Sequence, residues 1–144
     1  MNILVLNGPN LNMQGIREPD LYGSETLDEL MSWLANIPDS KGYSFKFFQS
    51  NHEGEIIDTL HNEREWAQGI IINPGAFAHY SYAIRDAISA VGINTVEVHL
   101  TDIDNRENFR KISVISAVCL EKIVGLGKFG YKEALNILTN NSIK

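Results

Sequence analysis

The chain has 144 residues, the size of one domain with one core. Its 44% apolar and 21% charged residues exclude intrinsic disorder, and no apolar run approaches the roughly 20 residues a membrane-crossing helix needs. Twelve Lys+Arg against eighteen Asp+Glu leave a net charge of −6; the scattered basic residues give nucleic acid no footprint, although one or two local arginines would hold a small anion. Cys119 is the sole cysteine, so no internal disulfide can form and a reducing, cytoplasmic compartment is expected. With no His or Asp beside it in sequence, it reads as a small buried hydrophobe rather than a nucleophile.

No internal repeat, linker or low-complexity segment interrupts the chain, so residues 1–144 are expected to form a single domain. Asn2–Leu6 reads as a strand rather than the start of a signal peptide, since it lacks a basic start and a small-residue cleavage site. Residues 13–23 follow, a connection longer than the usual 2–6 or so residues. Gly15 and Gly23 bracket Arg17 and Tyr22 there, as in a hinged lid. Leu27, Leu30, Met31 and Leu34 then mark a helix, with Thr26 and Glu29 spaced as a capping box. After the strand Tyr43–Gln49, Ile56, Ile57 and Leu60 mark a second helix, opened by Ser50 and Glu53 at the same capping spacing. The strand Gly69–Asn73 precedes a helix carrying Ala83, Ile84, Ala87, Ile88 and Val91, closed by Gly92. Beyond the strand Thr95–His99, Phe109 and Ile112 suggest a short helix with Arg106 and Arg110 on one face. The strand Lys122–Gly125 and a helix through Tyr131, Ala134, Leu135 and Leu138 complete the order.

Strands alternating with helices predict a parallel sheet covered on both faces, because such crossovers are right-handed. Five strands suit a flavodoxin-like three-layer α/β sandwich in the order 2-1-3-4-5, with ligands bound beyond the carboxyl ends of the strands. The first turn, Gly8-Pro-Asn-Leu-Asn, is neither a dinucleotide-binding glycine fingerprint nor a Walker A loop. Four strand ends are rich in chemistry: Asn7 to Asn12, Gln49 to Glu53, Asn73 to Ala76 with His79 beyond, and Glu97 to Thr101. Their convergence on one edge predicts a site.

Glu97 and His99 share one strand face, and a carboxylate beside an imidazole favours the charged ring. The pair reads either as a general acid with its partner or as a buried histidine satisfied by a structural glutamate. Arg17 near Tyr22 would favour the phenolate, one way to make a base for a carbon acid; an ordinary surface loop anchored by Tyr22 is the alternative. Arg106 and Arg110 would offer guanidinium to an oxyanion or diol, or form a solvated face with Glu107. His52, His61, His79 and His99 have no ligand spacing, so no metal site is expected. Ser-His-Asp hydrolysis lacks its elbow motif.

Together these segments resemble the type II 3-dehydroquinate dehydratases. The likeness rests on Asn7-Gly-Pro-Asn-Leu-Asn, Gly15-Ile-Arg-Glu-Pro, Tyr22-Gly, Phe48-Gln-Ser-Asn-His-Glu-Gly-Glu, Ile72-Asn-Pro-Gly-Ala, Ala83-Ile-Arg-Asp-Ala, Glu97-Val-His-Leu, Arg106-Glu with Phe109-Arg, and Gly125-Leu-Gly with Gly130-Tyr. The resemblance implies a lyase that forms 3-dehydroshikimate and water from 3-dehydroquinate by anti elimination through an enolate. It implies the shikimate pathway to chorismate and the aromatic amino acids, no cofactor, and a homododecamer built as a tetramer of trimers. Nucleic-acid and membrane partners are not expected. By the same resemblance Tyr22 is the base that takes a C2 proton and Arg17 promotes the tyrosinate and steadies the transition state. Asn10 polarises the enolate through a water, and His99, partnered by Glu97, protonates the departing C1 hydroxyl. Asn73, His79, Leu100, Thr101 and Arg110 match substrate-holding positions, and Asp86 matches a residue that reaches a neighbouring subunit's site.

Elementary chemistry agrees with these roles. Removing a proton beside a ketone and expelling hydroxide needs a base, a donor at the enolate oxygen and a separate acid. A Schiff-base route would need a lysine, and Lys41, Lys46, Lys111, Lys122, Lys128, Lys132 and Lys144 all lie away from the strand ends. Ala78, Tyr80, Asp102 and Asp104-Asn105 depart from the family's usual residues; Asp102 is expected to point away from the anion. The rival reading is a non-catalytic flavodoxin-like binding or signalling module. A receiver would want acids where Asn7, Asn10 and Asn73 stand, and a flavin module would want hydroxyl residues in Gly8–Asn12.

Overall fold

The computed structural model of the chain describes residues 1–16 and 18–142, for Leu21 and Tyr22 the backbone alone. Arg17 and the side chain of Tyr22, both expected at the site, therefore lie outside the described residues. The strands β1 (Asn2–Asn7), β2 (Ser44–Gln49), β3 (Gly69–Asn73), β4 (Thr95–His99) and β5 (Glu121–Val124) form one sheet in the order β2-β1-β3-β4-β5. Every pairing is parallel. The expected order is therefore the observed one.

The sequence builds this sheet by alternation. Ile3, Val5, Ile71, Val96 and Val98 point to one face and pack with α2 (Leu27–Asn36) and α5 (Phe129–Ser142). Leu4, Leu6, Ile70 and Ile72 point to the other and pack with α3 (Glu53–Glu63) and α4 (Tyr82–Val91). β3 is buried along its whole length and is apolar on both faces, whereas the equally buried β4 turns Val96 and Val98 to one face and Thr95, Glu97 and His99 to the other. A short helix α1 (Pro19–Tyr22) lies in the long connection after β1. No helix among the described residues is long and apolar enough to cross a membrane.

The caps follow the sequence in part. Thr26 Oγ1 accepts from the Glu29 N–H at 3.2 Å, and Gly92 closes α4 in the left-handed region with φ 66°. Ser50 does not cap α3, whose N-cap is His52. Its hydroxyl instead accepts from the His52 N–H at 2.9 Å and donates to Glu55 at 2.7 Å. Ser81 caps α4, accepting from Ile84 N–H at 3.0 Å while donating to Glu53 at 2.6 Å. The expected fourth helix is instead a pair of 3₁₀ turns, Ile103–Asn105 and Asn108–Lys111. Arg106 lies between them with extended backbone, so it and Arg110 do not share a helix face. The turn forms because Asp102 accepts from the Asp104 N–H at 3.2 Å and the Asn105 amide at 2.5 Å, a local pattern that competes with a longer helix.

Candidate active site

Register brings the polar strand ends level. Asn7 stands beside Gln49 on one side and Asn73 on the other. Gly8 then lets the backbones leaving β1 and β3 cross closely: a Cβ there would lie 2.4 Å from the Pro74 carbonyl oxygen. Its own N–H donates to the Asn73 carbonyl at 2.7 Å. The chain after β1 is thus directed over the ends of β3 and β4.

The result is a cavity of about 200 Å³ at the carboxyl edge of the sheet, with room for a single-ring acid. Asn73, His79, His99, Leu100, Thr101, Arg106 and Arg110 line it on the β3 and β4 side, and Asn10 and Leu11 face them from the β1 side. The expected convergence therefore holds for the ends of β1, β3 and β4. The end of β2 contributes support instead: Asn51 Oδ1 accepts from the Asn10 N–H at 2.9 Å and from Gln49 Nε2 at 3.1 Å. Asn10 needs that anchor, because it sits in the left-handed region with φ 68°, a conformation asparagine tolerates better than most residues. No group of three or more His, Cys, Asp or Glu that could hold a metal occurs among the described residues.

The floor of the cavity is electrostatically organised. Val96 and Val98 point to the α2/α5 core, so Glu97 and His99 point the other way, 0% and 4% exposed. His99 Nε2 lies 2.7 Å from Glu97 Oε1. Ser113 donates to the same oxygen at 2.7 Å, and Ser116 donates to Oε2 at 2.6 Å. Burial pushes the Glu97 carboxyl up, but the hydrogen bond and charge of His99 and the two serine hydroxyls outweigh it and hold the group below its ordinary range. An unpaired carboxylate here would cost several kcal/mol, so these donors are what make it tolerable.

His79 stacks across the cavity, its ring centroid 6.4 Å from that of His99. Its Nδ1 is 2.8 Å from the Ile112 carbonyl, which can only accept, so Nδ1 carries the hydrogen and Nε2 has a lone pair to offer. Burial holds His79 below the ordinary imidazole range, helped by the His99 and Arg110 charges and opposed by the Ile112 carbonyl and Glu97. Arg110 pairs with Glu107 and lies over the Phe109 ring at 4.6 Å, while Arg106 Nη1 reaches Thr101 Oγ1 at 3.5 Å. The two guanidinium groups make the cavity suited to an anion.

Asn73 is 3% exposed and firmly held. Its Nδ2 donates to the Tyr131 hydroxyl at 3.0 Å, its Oδ1 accepts from Gly75 N–H at 3.2 Å, and the Tyr131 hydroxyl donates to Asn7 Oδ1 at 2.6 Å. Asp86 is exposed on α4 and lines no part of this cavity. Asp102 does not line it either, since both its oxygens are engaged in the following turn. Ser113 and Ser116 had no sequence signal beyond the demand that a buried acid find partners, and Tyr131 was marked only as a core position of its helix and as part of the Gly130-Tyr likeness, not as the link between two buried amides.

Comparison with known proteins agrees with this geometry. Residues 1–139 match the family model described as Dehydroquinase class II. A 3-dehydroquinate dehydratase of Bacillus pumilus is 50% identical over 139 residues, covering 96% of this chain and 95% of the relative. One of Pelotomaculum thermopropionicum is 53% identical over 135 residues, 94% of each chain. The type II dehydroquinase structure from Butyrivibrio crossotus superposes with a TM-score of 0.93 at 48% identity, covering 96% of this chain and 97% of that one.

Proposed function

The chain belongs to the class II dehydroquinase family, a family of hydro-lyases, and we propose that it removes water from 3-dehydroquinate through an enolate, with Tyr22 as base and His99 as acid. Arg17 favours the Tyr22 phenolate, which takes the C2 proton; Asn10, through a water, donates to the enolate oxygen at C3. The enolate then collapses as the C1 hydroxyl leaves with a proton from His99, giving the conjugated enone 3-dehydroshikimate and water. Arg110, Thr101, the Leu100 backbone, Asn73 and the lone pair of His79 hold the carboxylate and ring hydroxyls, and Asp86 contributes to a neighbouring subunit's site. The reading includes the shikimate pathway, the cytoplasm and a homododecamer.

The observation that carries the reading is the fully buried Glu97 bonded to His99 at the floor of an arginine-lined cavity. A histidine so placed can hold a proton and deliver it to a leaving hydroxyl. An imine route has no amine, since no lysine among the described residues lines the cavity.

The test is direct. Purified protein given 3-dehydroquinate should raise the ultraviolet absorbance of the enone, and borohydride with substrate should leave activity intact. Tyr22→Phe should lower kcat by roughly 10²–10⁴-fold with the circular dichroism unchanged. Borohydride inactivation, or a mild effect of Tyr22→Phe, would overturn the mechanism.

A further inference from the structure

We propose that Ser113 and Ser116 are positioning residues for the dehydration: a two-hydroxyl clamp that holds Glu97 as a carboxylate in one orientation and so fixes the tautomer and direction of His99. The inference rests on the function proposed above and assigns a task to a segment that carries none of the roles named there.

The polarity of the clamp follows from its hydrogen bonds. Ser113 Oγ accepts from the backbone N–H groups of Ile115 at 3.3 Å and Ser116 at 3.2 Å. Its lone pairs are thereby used, and its one hydrogen goes to Glu97 Oε1 at 2.7 Å. That oxygen also meets His99 Nε2 at 2.7 Å, and Ser116 holds the second oxygen at 2.6 Å. Three donors, Ser113 and His99 on Oε1 and Ser116 on Oε2, hold Glu97 below its ordinary carboxyl range, so Oε1 accepts from both Ser113 and His99 as a carboxylate oxygen. His99 Nε2 must then be the N–H, and Nδ1 is the atom left for chemistry.

The clamp is itself anchored. Val114 N–H donates to the Ala78 carbonyl at 2.8 Å, and Val114 and Ile115 are buried in the α3/α4 core, 8% and 0% exposed. The other titratable or charged neighbours of the pair do not take over its role. His79 is engaged with Ile112, Arg110 with Glu107, and burial followed by the Glu97 charge pushes the Cys119 thiol up to about 12. During turnover the proton leaves His99 Nδ1, an O–H bond forms on the C1 oxygen as the C1–O bond breaks, and Nε2–H stays on Glu97. Without the clamp, Glu97 could turn and His99 could present either nitrogen.

The test combines kinetics with nitrogen NMR on the full chain. Ser113→Ala, Ser116→Ala and the double variant should lower kcat by roughly ten- to a hundredfold, the usual worth of partners that orient an imidazole through its ring N–H. KM should stay within about twofold. Ser116→Thr, which keeps the hydroxyl, should restore most of the rate. In mildly alkaline buffer, ¹⁵N spectra should show His99 of the wild type as one Nε2–H tautomer and that of the double variant as a mixture. In a Glu97→Gln background the serine substitutions should cause no further loss, because the clamp acts only through that carboxylate. An unchanged tautomer, or additive losses in the Glu97→Gln background, would overturn the proposal. Should the double variant not fold, the single variants give the same readouts. Wild-type protein inert toward 3-dehydroquinate would sink the functional reading instead, and the tautomer would still report on the clamp.

Discussion

The two sides of the cavity are built by different means. On the β4 side, His99 and Glu97 are buried, and both Glu97 oxygens are engaged, by His99 and by serines from a segment packed in the core. On the β1 side, the connection to α2 shows exposed Met13, Ile16, Glu18 and Asp20 and turns through left-handed backbone at Asn10, Gly15 and Glu18. Local backbone geometry shapes its described part. Gly15 is the clearest case: with φ 88°, a Cβ there would lie 2.7 Å from the Ser24 carbonyl oxygen, so the glycine lets the two ends of the connection meet. The difference teaches that the proposed proton donor is oriented by the core before any substrate arrives, whereas the described backbone of the connection carrying the proposed base is shaped by its left-handed residues.

The largest effect expected from breaking this asymmetry is on the β4 side. His99→Ala should lower kcat by roughly 10²–10⁴-fold in the folded protein, and its melting temperature should also fall because the buried Glu97 loses a donor. A near-normal rate would show that the organised side does not donate the proton. On the β1 side, Gly15→Ala forces both a strained φ and a backbone clash, and should cost about 1–3 kcal/mol with a fall in kcat. Thermal melts and steady-state rates would read both, and a variant like the wild type would show that the connection closes some other way. Between the two sides, Tyr131→Phe removes the hydroxyl that joins Asn7 to Asn73 and should cost about 1–2 kcal/mol in stability. Its activity should survive, because burial pushes the Tyr131 phenol up and leaves it a proton donor to Asn7.

These same residues show what the sequence could and could not reveal. The apolar strands and the order of the sheet were legible, since alternation and full burial leave direct marks in Val, Ile and Leu spacing. Glu97 and His99 were legible as a pair because side chains two apart on a strand share a face. The serines of residues 113–116 were not, because nothing local says which distant hydroxyls will meet a buried acid. The fourth helix failed for a related reason: Asp102 captures the next turn by its own hydrogen bonds, which helical spacing alone does not register. Ser50 misled in the same way, having the spacing of a cap but meeting Glu55 instead.

His79 gives the smallest and most specific effect. Burial first, then the neighbouring His99 and Arg110 charges, hold its ring below the ordinary value of 6.5, against the Ile112 carbonyl and Glu97. The unfolded chain therefore takes up this proton at a higher pH than the folded one. Across the window between the two values the unfolded state binds more protons, so stability rises with pH. The contribution is full above 6.5 and is lost as pH falls through the lowered folded value. The melting temperature of the wild type should thus fall relative to that of His79→Gln between about pH 7 and about pH 5, while other titrating groups cancel in the difference. The magnitude will be small, because the ring is only partly buried and solvent screens its neighbours. A flat difference would mean that the ring is as comfortable charged as neutral. Burial would then not be what keeps the ring neutral, and only the Nδ1 bond to the Ile112 carbonyl would support the acceptor role of Nε2.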